Sequence, residues 1–194
     1  DHFDAYYHHL LLWDQEALEI AGAYRFVDAE EVVKQKGTSG LYSGSLFNLD
    51  KQKCYFLKNS LELGRSFVQQ KYWGKRSLDY LWYGIGAYIT RNHQYRYLFG
   101  PVSISNMMPQ LAKELLIYFY KLYFSETRPA GCSRNPFQFS QPLATLEEAF
   151  CGNDYRADFK KLKSQLSNLG TAVPTLYKQY TELCEPGSNG VTSL

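Results

Sequence analysis

Apolar residues along the chain fall into short blocks whose spacing alternates between strand-like and helix-like periods. His8 to Trp13 (HHLLLW) and Ile20 to Val27 (IAGAYRFV) are two strand-like runs separated by Asp14-Gln15-Glu16, a pattern that predicts a hairpin. Ala29 to Lys36 reads as a short helix that Gly37 ends. Residues 37–59 are rich in Gly, Ser and Asn with scattered rings (Tyr42, Phe47, Phe56), and predict a packed loop with little regular structure. Ser60 to Val68 (SLELGRSFV) is the next strand. A helix follows, with Ser77 as candidate N-cap, Asp79 in its first turn and Leu78, Leu81, Trp82, Ile85 and Ile89 at helical spacing. Tyr95 to Ser105 predicts a strand interrupted at Gly100-Pro101. Met108 to Phe124 predicts a strong helix with Leu111, Leu115, Phe119 and Leu122 on one face. Beyond an irregular, proline-containing stretch over 125–143 lie a charged helix around Tyr155–Leu169 and a shorter one around Pro174–Cys184. This order of elements predicts an α/β (α+β) fold, a mixed sheet with helices packed against it.

Composition narrows the class. The 194 residues suit one ordinary domain, and with 45% hydrophobic residues a core can be filled. A net charge of +2 argues against a nucleic-acid protein that relies on a broad basic face. Aromatics reach 16%, which suits an apolar cleft or a surface that meets lipid as well as it suits a small polar pocket. Cys54, Cys132, Cys151 and Cys184 lie far apart, with no C-x-x-C, so a structural zinc is not expected and the thiols read as reduced and intracellular. No apolar run reaches the roughly 18 residues of a membrane span, and no signal peptide is visible. The chain opens at Asp1 without Met and reads as part of a longer protein.

Candidate chemistry centres on Glu62-Leu63-Gly64-Arg65-Ser66-Phe67-Val68. An acid and a base in a mostly apolar strand are costly to bury unless they are paired or functional. In a flat strand, positions 62 and 65 face opposite ways. Gly64 between them invites a bulge that brings both side chains to one side and leaves a backbone N–H for an external carbonyl oxygen. A plain ion pair of Glu62 with Arg65, or with Arg25 in the preceding apolar strand, is the structural alternative. The loop Gln70–Arg76 opens a helix and carries Lys71, Lys75 and Arg76. Helix N-termini attract phosphate, but a solvated basic loop explains the same residues.

The strings DHFD, GAYRF, GLYSGSLFNL, LELGRSFV, LWYGIGAYI and YRYLFGPVSISN, in this order over nearly the whole chain, resemble one branch of the GNAT acyltransferases. It is the ornithine N-acyltransferase, or hemolysin-like, branch, related to the acyl-homoserine-lactone synthases through an E-x-x-R strand motif and an upstream strand arginine. The resemblance is closest where this domain follows a second acyltransferase domain on one polypeptide. It implies a mixed, mainly antiparallel sheet flanked by helices, with residues 1–194 as a single GNAT-like domain. It puts Glu62, Arg65 and Arg25 at the catalytic positions, and Ser66, Val68, Lys75, Arg76 and Ser77 along the arm of the acyl donor. The loop lacks the full R-x-x-G-x-G/A pattern of coenzyme-A-using enzymes, which shifts the expected donor to acyl-carrier protein. Family members also carry a Phe/Asp/Pro-containing stretch shortly after the position of Gly187. Here Gly187 runs straight into Ser188-Asn189, which suggests that residues are missing there.

The implied activity is transfer of a fatty acyl group from acyl-carrier protein (or acyl-coenzyme A) to the amine of an ornithine-like amino acid, giving an aminolipid precursor. No metal and no permanently bound cofactor are implied. The expected partners are acyl-carrier protein, an amino-acid acceptor and, peripherally, the inner face of the cytoplasmic membrane, with no nucleic acid. A non-catalytic hemolysin-like membrane domain and an acyl-homoserine-lactone synthase are the competing readings.

Overall fold

The computed structural model describes residues 1–49, 55–125 and 131–183. The chain divides into two compact units, Asp1–Pro101 and Val102–Leu194, each with its own core.

In the first unit, a 3-10 turn over His2–Ala5 leads into β1 (His8–Asp14) and β2 (Glu19–Asp28), which pair antiparallel. This is the predicted hairpin. Asp28 then accepts the backbone N–H of Glu31 and starts α1 (Ala29–Lys36), as its short side chain favours at an N-cap. Gly37, at φ +74°, ends that helix as expected. The stretch expected to be irregular holds a short helix α2 (Tyr42–Leu46), a three-residue strand β3 (Phe47–Leu49) and a 3-10 turn over Tyr55–Leu57. These pieces are too short for sequence periodicity to reveal. β4 (Ser60–Val68) pairs antiparallel with β2, and α3 (Ser77–Arg91) follows it. β5 is confined to Tyr97–Phe99, far shorter than the predicted strand, and runs parallel to β4. The sheet order is β1-β2-β4-β5, mixed and mainly antiparallel, with α3 on one face. Tyr24, Phe26, Leu61 and Leu63 from the strands pack on Leu81 and Ile85, with Leu78, Trp82 and Ile89 partly buried beside them. The helical stripe read from the sequence is thus the packed face.

The second unit contains α4 (Gln110–Phe124), β6 (Gly131–Ser133), α5 (Leu143–Glu147), α6 (Tyr155–Asn168) and α7 (Thr175–Leu183). Leu115 and Phe119 are buried as the spacing of α4 predicts, but Leu111 and Leu122 are exposed. The buried stripe runs instead through Ala112, Leu116 and Tyr120. Two buried carboxylates tie loops to helices here. Glu114 accepts from Ser140 N–H, Ser140 Oγ and Gln110 Nε2. Asp158 accepts from Tyr123 Oη, Cys151 N–H and Gly152 N–H. Cys132 and Cys151 are exposed cysteines, while Cys54, Cys184 and the suspected break after Gly187 lie outside the described residues. No helix among the described residues is long and apolar enough to cross a membrane.

Candidate active site

The strand register decides which side chains meet. Val27 stands opposite Glu62 and Arg25 opposite Gly64, so Arg25 and Glu62 share the sheet face turned away from α3. Further along, Ala23 stands opposite Phe67: β4 advances three positions, Gly64 to Phe67, while β2 covers two. The extra residue is a bulge at Arg65–Ser66, and Arg65 takes a left-handed conformation at φ +47°. The bulge expected at Gly64 therefore sits one residue later, and a non-glycine residue carries the positive φ. Pairing between β4 and β5 runs only from Ser60–Tyr97 to Glu62–Phe99. Beyond it, the bulged half of β4 has β2 as its one paired strand among the described residues.

Glu62 is 1% exposed, and three donors converge on it. Ser43 N–H donates to Oε1 at 2.5 Å, Tyr42 N–H donates to Oε2 at 3.1 Å, and the Tyr7 hydroxyl donates to Oε2. The anticipated Glu62–Arg65 or Glu62–Arg25 ion pair does not form among the described residues. Each arginine has found an aspartate instead.

Arg25 is 2% exposed, and its Nη1 donates to Asp1 Oδ1 at 2.8 Å and to Asp4 Oδ1 at 2.7 Å. Its guanidinium lies 4.7 Å from the centroid of the Tyr7 ring, with Phe3 and Tyr42 at 5.7 Å. Two carboxylates and three ring faces make that burial tolerable. Arg65 is 63% exposed, and its Nη1 donates to Asp1 Oδ2 at 3.2 Å. Asp1 thus bridges both guanidinium groups. Tyr7 holds the cluster together: its ring covers Arg25, its hydroxyl donates to Glu62, and its oxygen accepts from Tyr42 N–H at 2.9 Å. Burial first, and then the nearby Glu62 charge, push the Tyr7 phenol far above its ordinary pKa, so it stays protonated.

The residues expected along the donor arm are more scattered. Ser66 lies in the bulge, and the Val68 carbonyl accepts from Trp73 Nε1 at 2.8 Å. The Lys75 ammonium sits 5.3 Å from the Tyr72 ring centroid. Arg76 bonds Asp79 at 3.3 Å and the Tyr83 hydroxyl at 2.7 Å. Ser77 does not cap α3: Arg76 holds that position without a side-chain hydrogen bond, and the buried Ser77 hydroxyl faces Tyr72 O at 3.5 Å. The loop itself is pinned to the β1–β2 turn. The Tyr72 hydroxyl donates to Asp14 and Glu19, and Lys71 pairs with Glu19. Two of the three loop cations are therefore already neutralised.

Asp1, Asp4, Tyr7, Tyr42 and Ser43 were not assigned roles by sequence reasoning. Their partners lie 19 to 64 positions away, beyond the reach of local periodicity. The one available hint was the D-x-x-D spacing of Asp1 and Asp4, which a single 3-10 turn brings to the same guanidinium.

Comparison with known proteins places this geometry in context. Residues 1–83 match the acetyltransferase (GNAT) domain family. A glycine N(alpha)-acyltransferase of Phocaeicola vulgatus is 30% identical over 189 residues, covering 91% of this chain and 57% of the relative. One of Bacteroides thetaiotaomicron is 28% identical over 186 residues, covering 91% and 55%. An L-ornithine N(alpha)-acyltransferase of Brucella abortus is 34% identical over 115 residues, covering 56% of this chain and 40% of the relative. The chain spans somewhat more than half the length of the first two relatives. No solved structure matches.

Proposed function

We propose that this chain, whose residues 1–83 match the acetyltransferase (GNAT) domain family, is an acyltransferase that moves a fatty acyl group from acyl-carrier protein to the amine of an amino acid. The product is an N-acyl amino acid that serves as an aminolipid precursor. One observation carries the reading: a fully buried carboxylate, Glu62, sits at the last β4–β5 pair and is held by the Tyr7 hydroxyl, whose ring covers the Arg25 guanidinium.

In this reading residues 1–194 act as one acyltransferase domain. The donor thioester lies along the bulged half of β4, where Ser66 and Val68 would flank it. Catalysis consists of positioning the thioester, removing a proton from the amine and stabilising the tetrahedral oxyanion. Glu62 is the base. Arg65, exposed and held by one long bond to Asp1, has donors to spare for the carboxylate of the acceptor. Arg25 orients the cluster through Tyr7. Lys75 and Arg76 face the carrier while Ser77, buried at the start of α3, does not reach it, and the work takes place at the inner face of the cytoplasmic membrane. The relatives' names support an amino-acid acceptor, glycine or ornithine.

The test is reconstitution of the full-length protein with acyl-carrier-protein or coenzyme-A thioesters and with glycine or ornithine, read by mass spectrometry. An acyl amide formed from the carrier thioester supports the proposal. Amide formed from the coenzyme-A thioester alone removes the carrier, and no amide with either donor removes the activity.

A further inference from the structure

Glu62 poses a problem of access. A base must touch the proton it accepts, directly or through a relay. Ser43 N–H takes one oxygen of this carboxylate, Tyr42 N–H and the Tyr7 hydroxyl take the other, and 1% of the residue is exposed. Two of those donors are backbone amides, which do not hand protons on under physiological conditions. Only the Tyr7 hydroxyl can pass one. Its oxygen already accepts from Tyr42 N–H at 2.9 Å, and a phenol oxygen has a second lone pair to offer. Tyr7 is 5% exposed against 1% for Glu62, so of the two it lies nearer the surface.

We propose that Tyr7 is a catalytic residue, the proton relay between the acceptor amine and the enclosed Glu62 carboxylate. The inference rests on Glu62 being the base. In the step, a proton leaves the amine nitrogen for Tyr7 Oη while the Tyr7 hydroxyl proton passes to Glu62 Oε2. The nitrogen lone pair forms the C–N bond, and the carbonyl π electrons move to oxygen. When they return, the C–S bond breaks and the thiolate leaves. The proton held by Glu62 then travels back through Tyr7 to the thiolate, so the products are an amide and a thiol and the enzyme is restored. The high pKa of Tyr7 fits a group that is protonated at rest and ionised only in passing. The ring's contact with Arg25, at 4.7 Å from guanidinium to centroid, holds the ring that carries the hydroxyl in place.

The experiment compares Tyr7→Phe, Glu62→Gln and the double variant in the full-length protein. It uses single-turnover acyl transfer from acyl-carrier protein to glycine and ornithine, with thermal melting as the folding control. A relay predicts that folded Tyr7→Phe loses about 100-fold or more, as Glu62→Gln does, and that the double variant is no slower than either. If Glu62→Gln loses that much but Tyr7→Phe stays within about tenfold of wild type, the relay is wrong and the base stands. Losses that multiply in the double variant also overturn it. If Glu62→Gln keeps more than about a tenth of the rate, the base assignment fails and the relay falls with it. Should Tyr7→Phe not fold, a fluorinated tyrosine placed at position 7 keeps the shape and makes the phenol more acidic. A rate unchanged by that substitution rules the relay out, and a changed rate supports it.

Discussion

Gly100 lies so close to Leu63 that a Cβ built on it would sit 1.9 Å from the Leu63 carbonyl oxygen. The contact falls where β5 leaves β4, one residue beyond the last parallel pair, Glu62–Phe99. A side chain here would have to push backbone away from backbone, because no flexible side chain is available to yield. Gly100→Ala is therefore expected to lower stability by about 2 kcal/mol or more, read as a fall in melting temperature. It should also cost activity in the fraction that still folds, since widening the β4–β5 junction displaces Glu62. An unchanged melting temperature would mean that the two strands part more loosely than this contact requires.

That junction also marks how far the sequence could be read. The hairpin, α1, β4, α3 and the two C-terminal helices follow from local period and punctuation, and each lies close to its predicted place. Glu62, Arg65 and Arg25 stood out because charge inside an apolar strand calls for an explanation. Their partners did not stand out. Tyr7, Asp1 and Asp4 reach the cluster by tertiary contact, and nothing in their spacing distinguishes Tyr7 from its neighbour Tyr6, which instead donates to the Gly40 carbonyl. The short β5 was over-read because Tyr95–Ser105 is apolar enough for a strand, yet Tyr95 turns to donate to Asp28 and Gly100 ends the pairing.

Asp158 sets an acid limit on the second unit. Burial alone would raise its pKa, but the Tyr123 hydroxyl and the Gly152 and Cys151 N–H groups outweigh that and hold it below the ordinary aspartate range. A carboxyl depressed in the folded state stabilises the protein above its unfolded pKa of about 3.9, and that stability is lost as pH falls through the lower folded value. Melting temperatures measured from pH 6 downward should fall more steeply in wild type than in Asp158→Asn. The variant should also melt lower near neutral pH, because an amide cannot accept all three bonds without turning its NH2 toward a donor. Parallel curves for the two proteins would assign the acid sensitivity to other groups.

If acyl-carrier protein is the donor, the basic loop is expected to meet it mainly through Lys75. Lys71 is paired with Glu19 and Arg76 with Asp79, whereas Lys75 has no carboxylate within ion-pair distance among the described residues. Lys75→Glu should slow the reaction with acyl-carrier protein several-fold, most at low salt, and Arg76→Glu should add less. A salt series of apparent second-order rate constants measures this. Equal rates for wild type and the Lys75→Glu, Arg76→Glu double variant at every salt concentration would remove the loop from the carrier surface.

Arg65 separates binding from folding better than any other residue in the cluster. Its side chain is exposed, and its bond to Asp1 is a surface pair worth about 1 kcal/mol or less. Its backbone sits at φ +47°, a conformation glycine adopts without penalty. Arg65→Gly therefore removes the guanidinium while making the bulge easier to form, and the melting temperature should hold within a few degrees. If Arg65 receives the carboxylate of the acceptor, KM for the amino acid should rise at least about tenfold, with a smaller change in kcat, because the lost contact binds ground state and transition state alike. The amine of an amino-acid ester, which lacks the carboxylate, should react with wild type and variant at similar kcat/KM. A stable Arg65→Gly protein with an unaltered KM would move the carboxylate contact away from Arg65. A fall in kcat alone would instead tie Arg65 to the alignment of the bulge with the thioester.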